Sequence, residues 1–221
     1  MTTPVQSLGL SAYVASGSAG NVLTANATIG NTVLLGISTQ QYGSGAANDV
    51  TSVTTTFGTA TKVTSINRSS LSDLEWWIVP VTAAGQSATV TLASGNTWTC
   101  SATEWHGAVS SSYFLGGNNG NTSSLALTCT PLHAGDILLV MAVAGYVTFT
   151  ADPSGNTPAW SVLTGGVWTD TNALGLAYYT APSTSAVTAT WTLSGSQATA
   201  ITGIGITLPA GIPNPNFLAF M

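Results

Sequence analysis

The chain has 221 residues and only 4% of them are charged, against roughly 25% in an ordinary soluble domain. Two basic residues against seven acidic ones leave a net charge of −5, too few cations to neutralise a run of phosphates. That excludes nucleic-acid binding and a polybasic role at a membrane surface. An apolar share of 44%, with 8% aromatics, is ample for a large core and excludes disorder.

Residues 1–17 precede the first recognisable strand and read as an N-terminal arm or edge strand. Met1-Thr-Thr-Pro-Val-Gln-Ser7 has neither the basic stretch nor the apolar run of a secretory signal. Synthesis in a cytosol, with exit by a route such as lysis, is therefore expected. The longest apolar stretch, Ile137 to Ala144, is far shorter than the ~20 residues needed to cross a bilayer, so no membrane is expected as partner.

From residue 18 onward the chain repeats itself at a spacing of about 100 residues, the first feature to seek before assigning a fold. Gly30-Asn-Thr-Val-Leu-Leu-Gly-Ile-Ser-Thr39 returns as Gly135-Asp-Ile-Leu-Leu-Val-Met-Ala-Val-Ala144. Leu74-Glu-Trp-Trp-Ile-Val-Pro80 returns as Leu174-Gly-Leu-Ala-Tyr-Tyr-Thr180, and Ala88–Gly95 as Thr188–Gly195. Each half closes on a long β-rich run, Thr97 to Gly107 and Gln197 to Pro209.

Within the halves the apolar period is two, the strand signal: Ala198, Ala200, Ile204, Ile206 and Leu208 fall on one face. Gly43-Ser-Gly45, Gly116-Gly-Asn-Asn-Gly120 and Asp152-Pro-Ser-Gly-Asn156 supply turn chemistry between the runs. No stretch shows a helical period, and the usual helix-surface residues are nearly absent. The expected fold is all-β: two tandem pseudo-repeated antiparallel β-sandwiches of Ig-like or jelly-roll type, with one larger sandwich as the alternative. The domains expected are an arm at 1–17, a first sandwich at 18–110, a second at 111–211 and a Pro-rich apolar tail at 212–221. Residues 109–121 read as the junction.

Catalytic patterns are missing. No G-x-S-x-G elbow and no phosphate-binding glycine loop occurs, and Asp73 with Glu75 reads as solvated carboxylates at a strand mouth. Cys100, His106, Cys129 and His133 lack the paired short spacing of a zinc site, and the cysteines read as buried, inert thiols. No catalytic residue, metal or cofactor is expected. Glu104-Trp105-His106 is the one local cluster: Glu104 shares a strand face with Cys100 and Ala102, and His106, on that same face, is its expected hydrogen-bond partner.

The chain holds seven tryptophans. Exposed rings on an uncharged β-protein suit sugar stacking or an interface. Consecutive Trp76 and Trp77 point to opposite sides of a strand, so at least one is expected to face outward. Trp76, Trp77 and Trp105 are the candidate interface or glycan contacts, together with Phe217, Leu218 and Phe220 of the apolar tail. That tail needs a groove, of its own domain or of a neighbour.

The order of motifs is a G-[ND]-x-[VIL]-[VIL]-[VIL] strand and an aromatic strand ending in a Pro- or Ala-containing turn. A V-T-x-T-x-[ST]-G-type strand and an Ala/Thr-rich closing strand, here Ser101-Ala-Thr-Glu-Trp-His-Gly107, complete it. Over residues 18–210 this resembles the β-sandwich modules of structural proteins in tailed bacteriophages, particularly those of actinobacteria. The resemblance implies a non-enzymatic virion protein made in the host cytoplasm, either a capsid-decorating or minor capsid protein or a minor tail protein. Its implied partners are copies of itself, as a homo-oligomer, and major capsid or tail proteins. The alternative is a host-surface glycan-binding module. The small number of carboxylates also predicts a nearly flat stability profile from neutral to acid pH.

Overall fold

A computed structural model describes residues 4–8, 14–15, 25–40, 50–68, 72–92, 97–145, 147–166 and 172–209. Strands occupy most of them. In the first half these are β1 (Gln6–Leu8), β2 (Val14–Ala15), β3 (Thr32–Gln40), β4 (Val50–Thr55), β5 (Thr61–Arg68), β6 (Ser72–Pro80), β7 (Ala88–Leu92) and β8 (Thr97–Trp105). The second half has β9 (Ser111–Cys129), β10 (Ile137–Gly145), β11 (Phe149–Ala151), β12 (Ser161–Gly166), β13 (Asn172–Thr180) and β14 (Val187–Thr207). A single 3-10 turn, Pro153–Gly155, is the only helical element among the described residues. The fold is all-β and sandwich-like, with every pairing antiparallel.

Two sheets have the same topology. One runs β1-β8-β3-β6-β5, with β2 also on β8; the other runs β11-β14-β10-β13-β12, with β9 also on β14. In each, the last strand of the repeat lies between an edge strand and the strand that follows the glycine motif. That departs from the immunoglobulin order, which sends its last strand to the opposite sheet. The register repeats as well: Gly36 pairs with Trp76 and Met141 with Leu176.

Each main sheet carries a smaller layer on its outer side. Over the first it is the β4–β7 pair. Over the second, the long β9 and β14 continue out of the main sheet, and Leu125–Cys129 pairs with Val187–Trp191 while β11 joins the far side of β14. Residues 109–121, read from the sequence as the junction, run into β9 and form its first half.

The two main sheets then stack on each other. Alternation along β3 sends Val33, Leu35 and Ile37 to the outer core with Val50, Val53, Phe57 and Val90 and turns Leu34 the other way. Leu34 joins Leu74, Trp76 and Trp105 of the first sheet in a middle core with Ile137, Leu139, Met141, Val143, Leu176 and Tyr178 of the second. Leu138, Val140, Ala142 and Ala144 form the third core with Trp160 and Trp191. β10 is covered on both sides and all of its residues are buried, hence its unbroken apolar sequence. Large middle-core side chains are worth about 1.5–3 kcal/mol each on burial. Losing half of the ten would cost about 8–15 kcal/mol, comparable to the 5–15 kcal/mol or so that holds an ordinary domain folded, so the two main sheets share a core that neither can leave cheaply.

The stacking is nearly two-fold. β5, the edge of the first sheet, packs against β9, the edge of the second, while Trp105 on β8 meets Tyr178 on β13 edge to face at 5.2 Å. The short segment 107–110 connects the repeats: the Val109 N–H donates to Thr32 Oγ1 (3.0 Å) and the Ser110 N–H to the Thr207 carbonyl (2.9 Å). Both glycine motifs therefore sit at the same end of the stack.

Candidate functional site

The G-[ND] motifs build two matching polar corners. Gly30 (φ 89°) and Gly135 (φ 94°) adopt the left-handed conformation that L side chains resist. In the first corner the Gly30 N–H donates to the Val81 carbonyl (3.0 Å) and the Val81 N–H to the Asn31 carbonyl (2.9 Å). In the second, Gly135 donates to the Ala181 carbonyl (2.7 Å) and Ala181 to the Asp136 carbonyl (2.8 Å). Each corner thus clamps the entry of one central strand to the exit of its neighbour.

Each corner also buries one carboxylate, supplied from different strands. In the first it comes from β8: Glu104 is buried and accepts from Asn31 Nδ2 (2.6 Å), from the Thr28 N–H (2.9 Å) and from Gln6 Nε2. Asn31 Oδ1 in turn accepts from the Gly107 N–H at 3.0 Å. In the second corner the acid is the motif residue itself. Asp136 accepts from Tyr113 Oη (2.6 Å), Thr207 Oγ1 (2.7 Å) and the N–H groups of Leu132 (3.1 Å) and His133 (2.9 Å). Burial alone would raise both acids. The hydrogen bonds from Gln6, Asn31 and Thr28 outweigh it at Glu104, and those from Tyr113, Thr207 and His133 at Asp136, so both sit below their ordinary values. Burial, then the bond to Asp136, pushes the Tyr113 hydroxyl up.

His106 is not the partner expected for Glu104. The donors come instead from the edge strand and the loop before β3, because Gln6 pairs directly across from Glu104. Gln6, Asn31, Tyr113 and Asp136 were not among the sequence candidates. The G-[ND] repetition marked Asn31 and Asp136 as matching positions, though not what they bind; nothing in the sequence marked Gln6 or Tyr113. Chemically the two corners hold charge still: amides and hydroxyls satisfy the carboxylates and lock strand ends.

A third buried acid, Glu75, faces the outer core of the first repeat. It accepts from Lys62 Nζ (2.9 Å), Trp77 Nε1 (2.7 Å) and the Val50 N–H (3.3 Å), and the ammonium lies 5.5 Å from the Trp77 ring centre. Glu75 is therefore not a solvated carboxylate at a strand mouth; the side chain of Asp73 lies outside the described residues. The second repeat has Gly175 at this position, with Trp191 Nε1 only 2.6 Å from where a β-carbon would stand. One repeat fills the space with an ion pair and Trp77, the other with Trp191.

The aromatic candidates are corrected by burial. Trp76 and Trp77 do point to opposite sides of β6, but they are 0% and 8% exposed and Trp105 is 0% exposed. The middle core covers Trp76 and Trp105, and the β4–β7 layer covers Trp77. No ring among them offers a face to a sugar. Trp160 and Trp191 are buried too, and the side chains of Trp98 and Trp168 lie outside the described residues, as do Phe217, Leu218 and Phe220. Cys100 and Cys129 are free and buried in different cores, and burial pushes both thiols up to about 12. Among the described residues no cluster of His, Cys, Asp and Glu has a metal-holding arrangement, and no helix is long and apolar enough to cross a membrane.

Comparison with protein-family models, with curated proteins and with solved structures found no match.

Proposed function

We propose that this chain is a non-enzymatic structural protein of a virion, a capsid-decorating or minor capsid protein on the outer surface or a component attached to the tail. The observation that carries the reading is the disposition of its few charges. Glu75, Glu104 and Asp136 are all buried, which leaves a surface wetted by Ser, Thr, Asn and backbone with almost no like-charge repulsion. Such a surface suits a subunit packed against neighbours, copies of itself and other particle proteins. The motif order that resembles tailed-phage modules supports the same reading, and so does a polar chemistry spent on clamping strands.

The glycan-binding alternative loses the ring faces it relied on. The test is location: antibodies to the purified chain, applied with gold to particles released by lysis, should decorate heads or tails at regular positions. A chain found only in the particle-free fraction would overturn the proposal.

A further inference from the structure

A run of hydrogen bonds joins the two buried carboxylates through the linker. Asn31 uses both ends of its amide: Nδ2 donates to Glu104 (2.6 Å) and Oδ1 accepts from the Gly107 N–H (3.0 Å). Its neighbour Thr32 takes the other side of the same glycine. The Thr32 hydroxyl donates to the Gly107 carbonyl (3.0 Å) and accepts from the Val109 N–H (3.0 Å). One residue on, the Ser110 N–H and hydroxyl both donate to the Thr207 carbonyl (2.9 Å each). The Thr207 hydroxyl then donates to Asp136 (2.7 Å), the carboxylate that also receives Tyr113 and the N–H groups of Leu132 and His133.

The two repeats differ where the linker passes. Thr32 stands two residues after its motif glycine and is fully buried. The second repeat has Ile137 at that place, an ordinary middle-core residue. A buried hydroxyl costs free energy unless it is hydrogen-bonded, and both partners of this one belong to the linker. A core position thus carries a polar group that serves the connection between the halves. Hydrogen bonds linked in series away from water reinforce one another, and folded proteins open locally in contiguous cooperative units.

We infer that Gly107–Ser110 is a coupling strap: when one corner opens, the strap loosens and the other corner opens with it. The inference does not rest on the virion reading. Thr32→Val tests it, because it removes the hydroxyl, keeps the shape and leaves every hydrogen bond to Glu104 and Asp136 in place. Amide exchange in the folded chain is the measurement. The Leu132 and His133 N–H groups, which do not touch residue 32, should exchange at least about 5-fold faster in the variant. Leu139 and Val140 in β10 report global unfolding in the same sample. A change confined to residues 107–109 would overturn the inference, and so would a rise at 132–133 no larger than at Leu139 and Val140. Coupling is reciprocal, so Asp136→Asn, or Thr207→Val if that variant does not fold, should speed exchange at the Thr28 and Gly107 N–H groups. Unchanged exchange there would also overturn it. Two glycines inserted between Ala108 and Val109 separate the strap from the shared core. With that insertion, Thr32→Val should no longer affect Leu132 and His133. An effect that survives it would mean the corners are coupled through packing, and the strap would be refuted.

Discussion

Gly36 and Met141 hold the same place in the two repeats, each six residues past its motif glycine, and they meet across the middle core. A β-carbon added to Gly36 would stand 2.9 Å from the Met141 sulfur and 3.4 Å from the Trp76 ring. Where two like halves stack about an axis, a residue on that axis meets its own counterpart. Two methionines there would collide and two glycines would leave a void. A glycine opposite a methionine fills the space once.

This contact sets a double-mutant cycle. Gly36→Ala should cost about 1–3 kcal/mol by overpacking, and Met141→Ala about 2–5 kcal/mol by leaving a cavity. In the double variant the new methyl enters the space the thioether vacates, so the two costs should fall short of their sum by about 0.5–3 kcal/mol. Urea unfolding of the four proteins measures this. Strict additivity would show that the two residues do not share the axis.

Acid stability follows from the two corners. Glu104 and Asp136 have folded pKa values below their ordinary 4.5 and 3.8. Such groups contribute stability that is fully present above the ordinary values and is lost as pH falls through the folded ones. Stability should therefore hold from pH 7 to about 5 and then decline on further acidification, rather than stay nearly flat as the small number of carboxylates alone suggests. Glu104→Gln should be less stable at neutral pH and show a shallower acid limb. An acid limb as steep as that of the parent chain would remove Glu104 from the account.

The Lys62–Glu75 pair gives a further prediction. Lys62→Met leaves a fully buried carboxylate with only Trp77 and a backbone N–H as donors. Breaking a buried pair from one side costs about 3–5 kcal/mol. The lysine side chain is 34% exposed, so solvent screening should bring the loss below that range. Adding Glu75→Gln to Lys62→Met should recover part of the stability, measured by thermal or urea unfolding. A double variant as weak as Lys62→Met alone would mean the loss comes from packing and not from charge.

Both thiols should be silent in the native protein. With Cys100 and Cys129 buried and pushed up to about 12, almost no thiolate exists at pH 8. A thiol reagent should titrate neither residue in the folded chain and both in denaturant. Fast reaction of one thiol in native protein would show that its core opens locally.

Much of the fold was legible. The apolar period of two and the two copies of the glycine motif lead to strands in matching order, and the corners sit where the motif stands. The tryptophans were misread because alternation tells which way a side chain points but not whether a second sheet covers that side. Ile137 to Ala144 carried the missing signal: an unbroken apolar strand in an antiparallel sheet means that both faces are covered, as its burial shows. The partners of Glu104 were hidden for another reason. Gln6, Thr28 and Asn31 are 73 to 98 residues away, and only the sheet pairing brings them together.

The four residues Gly107-Ala-Val-Ser110 have an effect beyond geometry. A tether this short holds the second repeat at an effective concentration in the millimolar range or higher beside the first. Dilution that would dissociate two free halves leaves the fused pair intact, and every molecule carries its glycine side and its methionine side in equal stoichiometry.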